Sequence, residues 1–186
     1  MTSPAAMRGR EVRQRLLNAA VELIPERGWT AVSTRILAER AGVAPSVVHY
    51  HFLSLQALLT EAVLRVMRDA VGELQAVLDA ASTPGDALDV LIASVEQYTG
   101  VDPMSLLFTE AYLAATRDGH LREGMTEVLI GFRQQLGRWL RERGVPAPEQ
   151  TAAVVMAALD GLVLQRSLTP GQAPGPVAAV LHRLVD

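Results

Sequence analysis

The chain has 186 residues, with 17 basic and 20 acidic side chains and a formal net charge of −3. This length suffices for one ordinary domain or two small ones with a hydrophobic core. Cysteine is absent, which excludes disulfide bonds, thiolate metal sites and a cysteine nucleophile. The N-terminus lacks an apolar signal segment, and three prolines interrupt the uncharged run at 167–181. We therefore expect no membrane-spanning helix and a cytoplasmic location.

The charge is divided unevenly along the chain. A mildly acidic protein is, as a whole, a poor partner for nucleic acid. Residues 1–52, however, hold seven arginines and four glutamates, a net charge of +3. Residues 53–186 hold ten arginines and sixteen acids, a net charge of −6. Of the two segments, only the N-terminal one therefore has the net positive charge that a nucleic-acid-binding surface needs.

Apolar residues recur at helical spacing along most of the chain, and no run alternates convincingly in the manner of a β-strand. The pattern predicts an all-α fold with about nine helices. Their boundaries follow from capping residues, from proline in first turns and from glycine after last turns. The predicted helices cover residues 10–27, 34–40, 45–52, 55–80, 86–99, 103–116, 120–143, 148–168 and 176–185. Pro25 is expected to kink or shorten the first helix, because its ring removes a hydrogen bond, and a loop is expected at 169–175.

Residues 33–52 have the pattern of two short helices joined by a tight turn. Ser33 suits an N-cap, Gly42 can adopt a positive φ, and the small Ala38 allows the two helices to cross closely. These are the features of a helix-turn-helix unit, although an ordinary helical corner would share this geometry.

The charges around this segment favour the DNA-binding interpretation. No acid lies between Glu39 and Glu61, and phosphates would repel acids placed there. Four arginines precede the first helix or occupy its first turns, near the positive end of its dipole, which suggests that an external anion offsets them. They are Arg8, Arg10, Arg13 and Arg15.

Residues 10–70 resemble the DNA-binding domain of the TetR family of bacterial transcriptional regulators. The strongest match is Thr34-Arg35-x-x-Ala38-x-x-Ala41-Gly42-Val43, followed by Tyr50-His51-Phe52 and Leu58-Leu59. Residues 158–164 also resemble a recurrent C-terminal pattern of such regulators. The resemblance implies a DNA-binding domain over 10–70, with its helix-turn-helix at 33–52, and an effector-binding and dimerisation domain over 71–186.

The resemblance also implies which residues contact DNA. Ser33 and Thr34 would cap the second helix and touch phosphates, and Arg35 would reach a phosphate or a guanine edge. The residues implied to face bases in the major groove are Ala44, Pro45, Ser46 and His49. Those implied to hold the backbone are Tyr50 and His51. Phe52 is expected in the core, and Leu55 stands where the family commonly has a phosphate-contacting lysine, which should lower the salt dependence of binding by about one unit of slope.

The resemblance further implies an effector pocket in the C-terminal domain, where aromatic residues and methionines cluster between residues 98 and 139. The candidate pocket residues are Phe108, Tyr112, Met125, Phe132 and Arg133. Glu110 and Gln134 are further polar candidates. Plain core packing at helical spacing explains the cluster equally well.

The last two predicted helices point to self-association. Residues 148–168 are mostly apolar on two faces, and 176–185 add a further apolar stripe. One face has to pack on the body, so the second suggests a partner. Two helices from each subunit would form a four-helix interface with C2 symmetry, the alternative being simple burial within a monomer.

These observations predict a ligand-responsive, homodimeric transcriptional repressor that binds a palindromic double-stranded DNA operator. No catalytic motif is visible, and His49 and His51 are spaced so that they cannot chelate one metal from a helix. We therefore expect no enzymatic activity, no cofactor and no metal. The alternative is a small-molecule-binding or scaffolding helical protein that has lost DNA binding.

Overall fold

A computed structural model describes residues 4–166, 168–169 and 175–185. These residues form nine α-helices and contain no strand, which confirms the all-α prediction. The helices are α1 (Pro4–Arg27), α2 (Thr34–Arg40), α3 (Pro45–His51), α4 (Leu55–Ala80), α5 (Pro84–Glu96), α6 (Pro103–Ala115), α7 (Gly119–Glu142), α8 (Pro148–Arg166) and α9 (Gly175–His182). A 3-10 turn, Trp29–Ala31, follows α1. Most of the loop expected at 169–175 lies outside the described residues.

Apart from the start of α1, every helix boundary lies within three residues of its predicted position. α1 begins at Pro4, six residues before the predicted start, because proline is tolerated in a first turn. The expectation that Pro25 would end α1 early is wrong. Pro25 lies in the last turn, and Gly28, with a φ of 83°, follows Arg27 at the end of the helix.

α5 begins at Pro84 rather than at residue 86, because Thr83 and Asp86 form a capping box. The Thr83 hydroxyl oxygen accepts a hydrogen bond from the Asp86 N–H at 3.1 Å, and the Asp86 carboxylate accepts one from the Thr83 N–H at 3.0 Å. Beyond the other end of α5, the Arg166 guanidinium donates to the carbonyl oxygens of Glu96 and Tyr98, at 2.7 Å each. A cation at this position also stabilises the negative end of the helix dipole.

The chain divides into two compact units. Unit 1 comprises Met1–Val66 and Leu106–Arg122, and unit 2 comprises Met67–Ser105 and Glu123–Asp186. Each unit has its own buried apolar residues. Those of unit 1 include Leu16, Ala20, Leu23, Leu37 and Leu58, and those of unit 2 include Leu78, Leu91, Phe132, Trp139 and Ala152. The sequence boundary after residue 70 stays a prediction.

Within the described residues, no single helix is long and apolar enough to cross a membrane. α3 and α4 meet that criterion only as a pair bent by 68° at their junction, and only by length and composition.

Candidate nucleic-acid interface

α2 and α3 form the predicted pair of short helices, and their ends are set by local chemistry. The Ser33 hydroxyl oxygen accepts a hydrogen bond from the Ile36 N–H at 3.4 Å and caps α2. Gly42 has a φ of 65°, where residues with a Cβ are strained, and its N–H donates to the Glu39 carbonyl at 3.1 Å. Pro45 occupies the first turn of α3, where its missing N–H has no helical partner to lose.

The two helices pack through a small apolar seam. Its fully buried residues are Leu37, Ala38 and Val48, and Ala41 is nearly so. Val43 is only half-buried. Phe52 is 6% exposed, as expected for a core residue. This seam buries one face of α3 and leaves the opposite face exposed to solvent.

The exposed face of α3 carries short or planar hydrogen-bonding groups. Tyr50 is 85% exposed, and its ring meets that of His51 edge-on, with the centroids 5.0 Å apart. The predicted contact residues that are exposed are Ser33, Arg35, Ala44, Pro45, Ser46, His49 and Tyr50, while Thr34 and His51 are half-buried. Hydroxyl, imidazole and guanidinium groups of this kind bind phosphates and base edges. These roles stay predictions.

The arginines near the start of α1 differ in their environment. Arg13 is paired with Glu61 and lies over the ring of Phe52, so an internal carboxylate neutralises it and no external anion is needed. Among the described residues, no ion pair is formed by the other three, which are exposed. They are Arg8, Arg10 and Arg15. The interpretation of the four arginines as a set is therefore wrong for Arg13.

A second arginine, Arg40, joins α2 to α1 through ion pairs. Its guanidinium donates to Glu26 at 2.7 and 3.0 Å and to Glu22 at 3.0 Å. The hydrogen bond from Arg40 lowers the pKa of Glu26. All three side chains are substantially exposed, so solvent screens the pair and its contribution to stability is small.

A contact that the sequence reasoning missed joins α6 to the corner between α1 and α2. The Trp29 N–H donates to the Glu110 carboxylate at 2.7 Å, across 81 residues of sequence. The Trp29 indole N–H donates to the side-chain oxygen of Gln56 in the first turn of α4, at 3.1 Å. Glu110 was predicted only as a polar candidate for the effector pocket. No local sequence signal pairs it with Trp29.

The candidate effector residues fall in both units. In unit 1, Phe108 is half-buried and Tyr112 is 38% exposed. In unit 2, Met125 and Phe132 are buried, whereas Arg133 is exposed beside a cleft of about 260 Å³. The cleft is also lined by Gln134, Glu149, Gln150 and Ala153. Within the described part of the chain, no group of three acidic or histidine side chains could hold a metal ion.

α8 carries both buried and exposed apolar residues. Ala152, Val155 and Leu159 are buried in unit 2. Exposed apolar residues lie elsewhere on α8 and on α9, namely Val154, Leu164 and Val180, between 47% and 51% exposed. That these residues form a second apolar surface for a partner stays a prediction.

The chain matches two family profiles that together span most of its length. The profile described as "Bacterial regulatory proteins, tetR family" matches residues 16–62, and "Tetracyclin repressor-like, C-terminal domain" matches residues 82–186. The HTH-type transcriptional regulator BetI of Rhizobium meliloti is 27% identical over 161 residues, which are 84% of this chain and 78% of that protein.

Two solved structures share both the fold and part of the sequence. The transcriptional regulator described as SCO7518 of Streptomyces coelicolor A3(2) has a TM-score of 0.79 and 28% identity, over 94% of this chain and 98% of that one. The multidrug binding protein EbrR, complexed with imidazole, has a TM-score of 0.69 and 30% identity, over 94% of each chain. The chain therefore belongs to the TetR family of DNA-binding, ligand-responsive transcriptional regulators.

Proposed function

We propose that this chain is a homodimeric repressor that holds a near-palindromic operator through α3 and releases it when a small organic effector binds. The observation that carries the proposal is the outer face of α3, where Tyr50 is 85% exposed and no acid is present, above a buried seam that fixes the helix. The family identity points to a regulator rather than an enzyme.

In this proposal the DNA-binding domain spans 10–70 and α3 lies in a major groove. His49 and Ser46 face base edges, Tyr50 holds the backbone, and Arg35 reaches a phosphate or a guanine. The remaining contacts are those of Ser33, Thr34, Ala44, Pro45 and His51. In a two-fold dimer the two recognition helices read half-sites about 34–36 Å apart, or a multiple of that spacing.

The dimer forms through α8 and α9 in the domain 71–186. The exposed apolar side chains Val154, Leu164 and Val180 support this assignment, because exposed apolar side chains are commonly buried in a dimer interface. Two helices from each subunit give a four-helix interface.

The effector is a small organic molecule held by residues of the C-terminal domain. The description of EbrR as a multidrug binding protein, at 30% identity, supports this ligand class. The candidate residues remain Phe108, Tyr112, Met125, Phe132 and Arg133. The effector releases DNA only if it binds the DNA-incompetent state more tightly than the DNA-bound state.

The test begins with selection of DNA from a random duplex pool by the full-length chain. Fluorescence anisotropy on the enriched duplex then gives the affinity of the wild type, of the double variant Arg35→Ala/Tyr50→Ala and of the control Arg138→Ala, an exposed arginine on α7. We expect the double variant to lose roughly a hundredfold or more in affinity, while the control binds as the wild type does. An unchanged affinity of the double variant would overturn the placement of α3 on DNA.

A further inference from the structure

One residue, Trp29, links the chain just before the helix-turn-helix segment to the helix just after it. The chain enters this segment through the corner that follows α1 and leaves it just before α4. Trp29 lies in that corner and is 6% exposed. Its indole N–H donates to Gln56, in the first turn of α4, at 3.1 Å. This hydrogen bond therefore joins the corner before the segment to the helix after it.

Glu110 on α6 holds Trp29 from the other side. Its carboxylate accepts the Trp29 backbone N–H at 2.7 Å, which is a charge-assisted hydrogen bond. The backbone turns at Gly28 with a φ of 83°, and a Cβ placed there would lie 3.6 Å from the nearer carboxylate oxygen. The carboxylate thus lies close against the corner and satisfies a backbone donor just after a helix end.

We propose that Glu110 is a positioning residue for DNA binding, a role that rests on the proposed function. It touches no DNA. It fixes Trp29, and through Trp29 both the corner before α2 and the first turn of α4, in the arrangement that presents α3. When the Glu110 carboxylate is removed, a smaller fraction of molecules has the arrangement that binds DNA. The apparent affinity for DNA then decreases in proportion to that fraction.

Three variants separate this role from a general loss of stability. Glu110→Ala removes the acceptor, Glu110→Asp keeps the charge but shortens the side chain, and Glu110→Gln keeps an oxygen at the same reach. Glu127→Ala is the control, because Glu127 is an exposed glutamate within α7. Each is measured on the enriched duplex by anisotropy over a series of salt concentrations, well below its melting temperature.

We expect Glu110→Ala to bind about tenfold more weakly, which matches the loss of one hydrogen bond to a charged group. Glu110→Asp should lose affinity similarly, and Glu110→Gln should recover most of it. The slope of log affinity against log salt should stay that of the wild type, because no phosphate contact is lost. If Glu110→Ala does not fold, the comparison of the Asp and Gln variants carries the same test.

A second readout observes the contact itself. The chain has two tryptophans, so isotope-labelled tryptophan gives two backbone amide signals in an NMR spectrum. We expect the Trp29 amide proton to shift upfield in Glu110→Ala and to be largely restored in Glu110→Gln. Affinity equal to the wild type in both the Ala and Asp variants would overturn the positioning role, as would a reduced salt slope, which would indicate a direct DNA contact. Failure of the wild type to enrich any duplex would overturn the proposed function and this inference with it.

Discussion

The guanidinium of Arg13 lies over the ring of Phe52, 4.6 Å from its centroid. The same guanidinium is paired with Glu61 on α4. One arginine thus joins α1 to the residue that ends α3 and to α4, all within unit 1. An arginine bound in this way stabilises the helix-turn-helix rather than contacting phosphate.

Replacing Arg13 should therefore affect stability more than the salt dependence of DNA binding. We expect Arg13→Gln to lower the free energy of unfolding by about 1–2 kcal/mol, through loss of the cation–π contact and the half-exposed ion pair. Urea denaturation gives this value. Arg15→Gln is the matched control, since Arg15 is exposed on the same helix, and it should change stability by less than about 0.5 kcal/mol. Equal losses in the two variants would contradict the structural role of Arg13.

The turn between α2 and α3 depends on a glycine. Gly42→Ala places a Cβ at a φ of 65°, and we expect the free energy of unfolding to fall by about 1 kcal/mol. Gly72→Ala is the opposite case, because Gly72 lies inside α4 with no atom within 4 Å of an added Cβ. It should stabilise the chain by up to about 1 kcal/mol. Destabilisation of similar size in both variants would argue against a conformational cause at Gly42.

The stability of the chain should decrease in acid partly through Asp102. Burial raises the pKa of this carboxyl, but hydrogen bonds from Ser105 and Thr99 outweigh burial and lower the pKa to about 2. A depressed folded pKa contributes stability that is present above about pH 4, the unfolded value. That contribution is lost as the pH falls from about 4 to about 2. The midpoint of urea unfolding, measured over this range, should vary less with pH in Asp102→Asn than in the wild type, and parallel curves would refute the assignment.

The proposed dimer interface predicts different effects of the same substitution at two exposed valines. Val154 on α8 is 51% exposed and Val90 on α5 is 40% exposed. Val154→Asp places a charge in the proposed interface, which is strongly unfavourable when desolvated, and should shift the chain towards the monomer. Val90→Asp should leave the assembly state unchanged. Sedimentation equilibrium of the two variants at equal concentration measures this, and a dimer as strong in Val154→Asp as in the wild type would place the interface elsewhere.

How far the sequence predicts the structure depends on the range of the interaction. The Ser33 cap, the Gly42 turn and the burial of Phe52 were predicted correctly, because each follows from residue type and local spacing. The pairing of Arg13 with Glu61 and that of Trp29 with Glu110 were not predicted, since they join residues 48 and 81 positions apart. The periodicity of apolar residues predicts which face of a helix is buried, but not which other helix packs against that face.

The same limit applies to the effector residues. Met125 and Phe132 are buried, and the clustering of aromatic residues and methionines between residues 98 and 139 is consistent with packing alone. Arg133 and Gln134 of α7 line a cleft, but the other residues of that cleft come from α8, which the sequence does not indicate. The direction in which each side chain points depends on packing between helices distant in sequence.

The two tryptophans are placed one in each unit, which gives the chain a built-in pair of optical reporters. Trp29 lies at the corner before α2 in unit 1, whereas Trp139 lies in the core of unit 2 beneath the guanidinium of Arg143. Removing one indole at a time, with Trp29→Phe and Trp139→Phe, leaves fluorescence that reports on a single unit. Unfolding of the two units can then be followed separately, and an effector that changes only one of them is recognised without any added label.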